Sequence, residues 1–208
     1  MTMPSATLPA DMTPEVKMAP MHRFDLSFYH RPAMELAPLL LGNILVRRVG
    51  GCLRRCRIVE TEAYIGIRDL ACHAARGRTA RNEVMFGPAG RAYVYFIYGM
   101  YYMLNIVAGD VGDPQAVLIR AAAPLDGWQA NLSGPGRLAR ELMLNRGDNG
   151  LSLAGDELFV QADPGHRPKV RRTPRIGVDY AGHWARRLLR FVDIHEASRR
   201  YASGAKVQ

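Results

Sequence analysis

Two glutamates separated by one residue, Glu60 and Glu62, lie in a stretch that predicts a β-strand over Cys52 to Tyr64. Side chains alternate along a strand, so both glutamates are expected to share one face with Ile58 and Tyr64. Adjacent carboxylates repel each other, and partial burial of this face would raise the pKa of one of them. The pair could then act as a general base or bind a metal ion, whereas on an edge strand it would be a solvated acidic face.

Tyrosines are concentrated in one short segment of the chain. Five of the nine lie within ten residues, at Tyr93, Tyr95, Tyr98, Tyr101 and Tyr102. Tyr93 and Tyr95 share a face of a predicted strand that ends at Ile97, and Tyr98-Gly99 predicts a turn. In a basic protein, an exposed tyrosine at a turn can insert into a base stack. A tyrosine-rich core strand with hydroxyls at its rim is the alternative.

Arg120 ends an apolar run from Ala116 to Ile119. It is either the exposed member of a half-buried strand or a buried cation, which would need a carboxylate partner such as Glu60 or Glu62. The acidic residues have another possible use, because four side chains could bind a divalent ion for phosphodiester hydrolysis. These are Glu60, Glu62, Asp69 and His73. A metal-dependent nuclease is therefore one alternative function.

The charge of the chain favours a polyanionic partner. Its 208 residues carry a formal net charge of +9, which attracts nucleic acid or an anionic membrane surface. The basic residues are almost all arginines, a bias that codon usage could also produce. The lysines are Lys17, Lys169 and Lys206. Charge alone therefore leaves a nucleic-acid partner open without deciding it.

The cysteines and the apolar segments bear on the compartment. Cys52, Cys56 and Cys72 are odd in number and match neither a disulfide pattern nor, with His73, the spacing of a zinc site. The first 20 residues lack the basic and apolar parts of a secretory signal. The 18 residues from Ala92 to Gly109 carry no formal charge, but they predict a buried strand and helix better than a membrane span. We therefore expect a soluble cytoplasmic protein that contacts no membrane.

The pattern along the chain predicts one α+β domain with a curved, mostly antiparallel sheet and surrounding helices. The domain is expected over residues 21–195, between an N-terminal tail, 1–20, and a C-terminal tail, 196–208. Further strands are expected at Ile44–Arg48, Val117–Arg120, Leu158–Val160 and Ile176–Val178.

Two short helices are expected. One covers Pro38–Leu41, with Pro38 in its first turn, and the other covers Leu138–Leu144. Gly134-Pro135-Gly136 precedes the second helix and could present backbone N–H groups to a phosphate. It lacks the fingerprints of nucleotide-binding loops, so a plain helix entrance is the favoured interpretation.

Taken together, these segments resemble the alkyladenine (3-methyladenine) DNA glycosylase family. The matching segments, in the family's order, are Arg57–Tyr64, Asp69–His73, Arg81-Asn82, Met85-Phe86, Tyr93–Tyr101, Asn105, Val117–Ala121, Ser133–Pro135, Arg175–Val178, Trp184–Arg186 and Leu189–Phe191. The resemblance covers roughly Leu39 to Phe191. It is most specific between Glu62 and Arg120, since no single motif of three or four residues would identify the family.

The resemblance implies an enzyme that flips a damaged purine nucleotide out of duplex DNA and hydrolyses its N-glycosidic bond. The family's general base corresponds to Glu62. It would hold a water molecule together with Arg120 and the backbone carbonyl of Ile176. The implied partner is double-stranded DNA containing damaged bases, and the implied protein is a monomer with no cofactor, no metal and no obligatory protein partner.

The resemblance also assigns the residues that would contact DNA. The substrate-binding residues around the flipped base would be Tyr64, Ala71, His73, Tyr95 and Asn105. Asn105 would lie at the pocket floor and crowd the 2-amino group of a normal guanine. Tyr98 would fill the hole left in the duplex, and Met100 would intercalate beside it.

The scarcity of lysine bears on the type of glycosylase. An enzyme that also cuts the strand through a Schiff base needs an amine, and none of the three lysines falls in a matched segment. A monofunctional glycosylase without a lyase step is therefore expected. A protein that binds distorted DNA without catalysis is the remaining alternative, beside the nuclease.

Overall fold

A curled antiparallel sheet organises the chain in the computed structural model, which describes residues 22–196. The strands of this range are β1 (Ile44–Val49), β2 (Cys52–Ile65), β3 (Ala92–Ile97), β4 (Tyr101–Ala108), β5 (Gln115–Pro124), β6 (Leu158–Gln161), β7 (Val170–Thr173) and β8 (Arg190–Asp193). Their order across the sheet is β3-β4-β5-β2-β1-β6, and β8 pairs with both β2 and β7. The expected α+β class with an antiparallel sheet is confirmed.

Short helices pack against this sheet. The α-helices of the described range are α1 (Leu26–Tyr29), α2 (Ala33–Leu40) and α3 (Pro135–Glu141). The 3₁₀ segments are His73–Arg76, Glu83–Phe86, Arg146–Asp148 and Asp179–Arg186. α2 lies across β2, where the Thr61 hydroxyl donates to the carbonyl of Ala37 at 2.8 Å. This contact anchors the strand that carries the two glutamates to the helical layer.

The start of α2 differs from the sequence prediction. The helix begins at Ala33, so Pro38 lies inside it and not in its first turn. The side chain of Gln115 explains the earlier start, because its oxygen accepts a hydrogen bond from the Ala33 N–H at 2.8 Å. A long-range contact thus satisfies one of the N–H groups that every helix start leaves free.

The long strand β2 connects the two halves of the sheet. It pairs with β5, while its other edge pairs first with β1 and then, from Glu60 to Glu62, with β8. Register shifts interrupt the β2–β5 ladder on both sides of Glu60, where the pairing skips Val59 on β2 and Arg120 on β5. Irregularities of this kind change the direction of nearby side chains and are common beside functional sites.

These shifts correct one prediction about β2. Ile58 lies in the hydrophobic core together with Ala63, whereas Glu60 and Glu62 lie on the other side of the strand. The prediction that Ile58 shares the face of the glutamates is wrong, because alternation restarts after the bulge. The same prediction for Tyr64 is confirmed, since its hydroxyl donates to Glu62 Oε2 at 2.9 Å.

Two further predictions of secondary structure are wrong. The segment from Ala92 to Gly109 contains two strands, β3 and β4, and not a strand and a helix. Pairing of β4 with β3 and β5 on its two edges satisfies its backbone groups in the extended form. The segment Ile176–Val178 is a loop, because the Ile176 N–H donates to a Glu62 carboxylate oxygen at 3.0 Å and not to a neighbouring strand.

The helix predicted over Leu138–Leu144 is displaced, because α3 begins at Pro135 and ends at Glu141. Pro135 and Gly136 therefore lie inside the helix and not before it.

The remaining predictions fall in two groups. The hairpin of β1 and β2 around Gly50-Gly51 and the turn at Tyr98-Gly99 are confirmed. The tail 1–20 and residues 197–208 of the C-terminal tail lie outside the described residues. Between residues 22 and 196, no helix combines the length and the apolar character that a membrane crossing requires.

Candidate active site

A cavity of about 600 Å³ lies between β2–β5, the β3–β4 hairpin and the loop that follows β7. Eight of the ten residues predicted for the site line it: Tyr64, Ala71, His73, Tyr95, Tyr98, Asn105, Arg120 and Ile176. The other two are Glu62, which lies directly behind the wall, and Met100, at the tip of the hairpin. The volume lies in the range of pockets that enclose small organic ligands.

Glu62 is fully buried, and each of its partners is a lining residue. One carboxylate oxygen accepts the Ile176 N–H at 3.0 Å and lies 3.4 Å from Arg120, and the other accepts the Tyr64 hydroxyl at 2.9 Å. Burial raises the pKa of Glu62, while these three partners oppose the rise. The expectation that one of the two glutamates has a raised pKa is confirmed for Glu62. A carboxylate of this kind is suited to accept a proton.

Arg120 is a largely buried cation that binds both glutamates. Its Nε lies 3.1 Å from Glu60 Oε1, and its Nη1 lies 3.4 Å from Glu62 Oε1. The prediction that a buried Arg120 needs one of these carboxylates is confirmed, and it uses both. Glu60 also binds the guanidinium of Arg190, whose Nη1 donates to Thr173 Oγ1 at 3.1 Å. The result is a row of alternating charges behind the cavity.

A second ion pair, between Asp69 and Arg175, is completely buried beside the first. Two parallel contacts of 2.5 and 2.8 Å join the groups, and Arg175 also donates to the carbonyl of Ala63 at 2.9 Å. The guanidinium covers one face of the Tyr64 ring, 4.7 Å from its centre. Asp69 accepts the N–H of Ala71 at 3.1 Å. The pair therefore fixes Tyr64 and the loop that carries Ala71.

The rings of His73, Tyr93 and Tyr95 form an aromatic part of the cavity wall. The His73 ring meets the Tyr95 ring edge to face, with centres 4.5 Å apart, and its Nδ1 lies 2.8 Å from the Tyr93 hydroxyl. The Tyr95 hydroxyl contacts the sulfur of Met103 at 3.3 Å. Burial lowers the pKa of His73 to about 4, so the imidazole is neutral at physiological pH. This wall is apolar and aromatic and carries no formal charge.

The floor of the cavity contains Asn105, which is buried on β4. Its side-chain amide donates to the carbonyl of Tyr93 at 3.3 Å, which fixes the orientation of the group.

Nearby, the entrance of α3 packs closely on the same strand, because a Cβ on Gly136 would lie 2.9 Å from the Tyr101 ring. The glycine is thus required by packing, which accounts for this part of the Gly134-Pro135-Gly136 segment.

The β3–β4 hairpin carries Tyr98 and Met100 beyond the cavity. Their exposed fractions are 73% and 67%, among the largest for apolar side chains in the described chain. The Met100 N–H donates to the carbonyl of Ile97 at 3.2 Å, and the two central residues, Tyr98 and Gly99, have φ of 55° and 65°. A left-handed conformation costs a tyrosine about 1–2 kcal/mol, whereas glycine adopts it freely. The turn therefore holds Tyr98 outward in a strained conformation.

The ligand set of the nuclease hypothesis is not assembled. Asp69 uses both carboxylate oxygens for Arg175, and His73 directs Nδ1 to the Tyr93 hydroxyl. Within residues 22–196, no three His, Cys, Asp or Glu side chains form a group that could hold a metal ion. The four residues therefore serve two separate ion-pair networks and an aromatic wall.

Two features of the site were missed by the sequence analysis. Tyr180 lines the cavity mouth, is 71% exposed, and places its hydroxyl 3.5 Å from the carbonyl of Ala71. Its position directly after the matched segment Arg175–Val178 is the signal that could have identified it. The Asp69–Arg175 pair was missed because Asp69 was considered only as a metal ligand and as part of a matched segment.

Comparison with known proteins decides the family. The model of a family described as methylpurine-DNA glycosylase (MPG) matches residues 27–197. The chain belongs to this family. The match spans the described domain almost completely, and it includes every predicted site residue, from Glu62 to Ile176.

Individual relatives of this glycosylase family agree with the family match. A protein of Anaeromyxobacter sp. (strain Fw109-5) is 52% identical over 165 residues, covering 79% of this chain and 85% of the relative. One of Myxococcus xanthus (strain DK1622) is 53% identical over 162 residues, covering 76% and 84%. One of Methanocella arvoryzae is 48% identical over 180 residues, covering 80% and 90%. All three bear the name "Putative 3-methyladenine DNA glycosylase".

Proposed function

We propose that this protein hydrolyses the N-glycosidic bond of alkylated purines in duplex DNA and leaves an abasic site. The observation that carries the proposal is Glu62, a buried carboxylate with a raised pKa behind an aromatic cavity that can enclose one base. Membership of the methylpurine-DNA glycosylase family and the names of the relatives support the substrate class. The net charge of +9 supplies attraction to the phosphate backbone.

The cavity is suited to a purine that carries positive charge. Alkylation at N3 or N7 makes the base cationic, and stacking against Tyr64 and Tyr95 favours a cation over the neutral normal bases. His73 is neutral and does not repel such a base. Arg175, on the far face of Tyr64, is neutralised by its contacts with Asp69. Tyr64 and Tyr95 therefore offer aromatic surface to a cationic base.

The proposed reaction is an attack of water on C1′ of the sugar. The N-glycosidic bond breaks, its electron pair leaves with the purine, and the water oxygen bonds to C1′ while its proton passes to Glu62. Positive charge that develops on the sugar is stabilised by the ionised Glu62 carboxylate. Arg120 opposes the effect of burial on the pKa of Glu62 and so favours the ionised carboxylate. In this assignment, Arg120 and the carbonyl of Ile176 help to hold the water.

Glu62 Oε2 accepts one hydrogen bond, from Tyr64, and a carboxylate oxygen has two acceptor sites, so the water can bind there without replacing a partner. The Ile176 N–H belongs to the backbone, and Arg120 is held by Glu60. The Tyr64 ring is covered on one face by the Arg175 guanidinium, so its hydroxyl is also held in place. Glu62 can therefore bind the water while these three partners hold the carboxylate in place.

Base flipping would use the exposed hairpin. Tyr98 would enter the space that the flipped nucleotide leaves, and Met100 would contact the adjacent base step. At the cavity floor, Asn105 would crowd the 2-amino group of a normal guanine, which would discourage excision of undamaged purines. The Tyr93 carbonyl holds Asn105 for its role, and the turn directs Tyr98 outward for the other.

The enzyme is proposed to be monofunctional. Lys169 is the one lysine in the described part of the chain, and it is not a lining residue of the cavity. Its backbone N–H binds Asp193, which places the residue at the start of β7. Because no lysine of residues 22–196 lines the cavity, a Schiff-base lyase step would lack its nucleophile among them.

The test is release of free base from duplex DNA treated with dimethyl sulfate, measured in EDTA with an enzyme-free blank. The expected products are free methylated purines and uncut strands with abasic sites, which alkali then cleaves. Binding of the damaged duplex without base release would instead favour the DNA-binding alternative. Strand cleavage that EDTA abolishes would favour the nuclease.

A further inference from the structure

We propose that Glu60 is a positioning residue for this reaction: it fixes the guanidinium of Arg120 so that one terminal nitrogen faces Glu62. The inference rests on the proposed function, because it concerns the same site. Glu60 is not a lining residue of the cavity, so it acts through Arg120 and does not touch the substrate.

The contacts form a continuous row from β8 to β5. Glu60 Oε1 binds the Nε of Arg190 on one side and, at 3.1 Å, the Nε of Arg120 on the other. The side chains of Glu60, Arg120 and Arg190 are 14%, 17% and 20% exposed. Charges that are this well shielded from water interact more strongly than surface pairs. Thr173 holds Arg190 by a hydrogen bond of 3.1 Å, which anchors the row at its outer end.

Arg120 needs this support because the sheet does not fix it. The residue lies at the skipped position of the β2–β5 ladder, between the pairs of Ile119 and Ala121. A bulge changes the direction of the side chain that it carries, so the contacts of the guanidinium itself decide its final orientation. With Nε bound by Glu60, the remaining nitrogens are held toward Glu62, and Arg120 is shared between two carboxylates. Without Glu60, the whole cation would be free to pair with Glu62.

The charges around Glu62 predict how the pH dependence of the reaction changes when Glu60 is lost. The titratable or charged side chains that face Glu62 or its neighbours are Arg120 of β5, Glu60 and Tyr64 of β2, Arg190 of β8, Tyr95 of β3 and Arg175 of the loop after β7. In this set Glu60 is the other carboxylate, and its charge raises the pKa of Glu62. Loss of Glu60 should therefore make Glu62 a weaker base, and loss of Arg190, which balances Glu60, should do the opposite.

The experiment compares Glu60→Gln and Arg190→Gln with the wild type. Single-turnover release of methylated purines from dimethyl sulfate-treated duplex is measured with saturating enzyme over the acidic pH range, with an enzyme-free blank. Glu60→Gln should lower the plateau rate on the order of tenfold to a hundredfold, because Arg120 is misplaced. The acid limb of its pH–rate profile should move to lower pH by about one unit, while the acid limb of the Arg190→Gln profile should move to higher pH.

Opposite shifts distinguish positioning from general damage to the fold, which would lower both rates without moving either limb. Glu60→Asp is the matched control, since it keeps the charge, and its acid limb should stay at the wild-type position. Unmoved limbs, or shifts of both Gln variants in one direction, would overturn the proposal. If Glu60→Gln does not fold, an unmoved limb in Arg190→Gln overturns it alone. Absence of release by the wild type would instead overturn the proposed function and, with it, this role.

Discussion

The charged layer behind the cavity and the tip of the β3–β4 hairpin differ in almost every physical respect. In the layer, Glu62, Asp69 and Arg175 are buried, and each makes at least two polar contacts. At the tip, Tyr98 and Met100 are about two-thirds or more exposed, and Tyr98 has a strained backbone. One region is fixed before DNA arrives, and the other is complete only when a partner covers it.

The difference agrees with the separate tasks proposed for the two regions. A preorganised buried layer can stabilise charge that develops in the transition state, because its groups need no reorganisation. An exposed aromatic tip contributes through stacking with bases that are present only in the complex. Changes in the layer should therefore affect chemistry and folding, whereas changes at the tip should affect the lifetime of the DNA complex.

The largest effect is expected for Glu62→Gln, which removes the proposed base and keeps the shape of the side chain. The single-turnover rate of base release should fall by about a thousandfold or more, since proton transfer and charge stabilisation are lost together. Binding of lesion-containing duplex should persist, because Arg120 keeps Glu60 as a partner. A near-normal rate in this variant would remove Glu62 from the chemistry.

The next effect concerns the folding contribution of the same layer. Asp69→Asn leaves Arg175 completely buried without its charge partner, which should lower the free energy of unfolding by about 3–5 kcal/mol. Urea unfolding of the two proteins gives the difference. Glu83→Gln is the matched control, because it breaks the exposed Arg78–Glu83 pair and should leave the unfolding midpoint unchanged. Equal midpoints for all three proteins would contradict a structural role of the buried pair.

At the hairpin tip, Tyr98→Ala should accelerate dissociation from lesion-containing duplex by about tenfold, the loss expected for one stacking contact. Stopped-flow dissociation measures it. Folding should not suffer, because Tyr98 is 73% exposed and strained. Tyr180→Ala, which removes another exposed ring near the cavity mouth, is the control for general loss of aromatic surface. If only Tyr180→Ala dissociates faster, the residue that retains the DNA is Tyr180 and not Tyr98.

The smallest effect is a pH-dependent change in stability. Burial raises the pKa of Glu62 in the folded chain above its ordinary value of 4.5, which applies to the unfolded chain. At a pH between the unfolded and the folded pKa, the folded chain therefore binds more protons than the unfolded chain. The free energy of unfolding contributed by Glu62 therefore falls as pH rises through this window. Glu62→Gln avoids this loss, and its melting temperature relative to wild type should increase from acidic to neutral pH. A constant difference across the range would contradict the raised pKa.

The same contrast explains which features could be predicted from the sequence. The turn at Tyr98-Gly99 and the hairpin of β1 and β2 depend on local turn residues and alternation, and both were predicted. The requirement of Arg120 for a carboxylate follows from the cost of burying a charge, which needs no knowledge of the fold. The site residues themselves came from the family resemblance, and the structure brings eight of them to one cavity.

The features that escaped prediction depend on contacts distant in sequence. The bulge beside Glu60 arises from the pairing of β2 with β5, and it reverses the side of Ile58. The Asp69–Arg175 pair joins residues separated by 106 positions. The strand β4 is extended because two neighbours bind its edges, which its uncharged sequence alone did not reveal.

The division of tasks is tested most directly by measuring, on one lesion-containing duplex in EDTA, both base release and dissociation for Glu62→Gln and Tyr98→Ala. Glu62→Gln should lose base release and dissociate like the wild type, whereas Tyr98→Ala should dissociate faster and keep Glu62-dependent release under saturating enzyme. Release by Glu62→Gln at the wild-type rate would contradict the account, because the buried carboxylate would then not be the group that activates water.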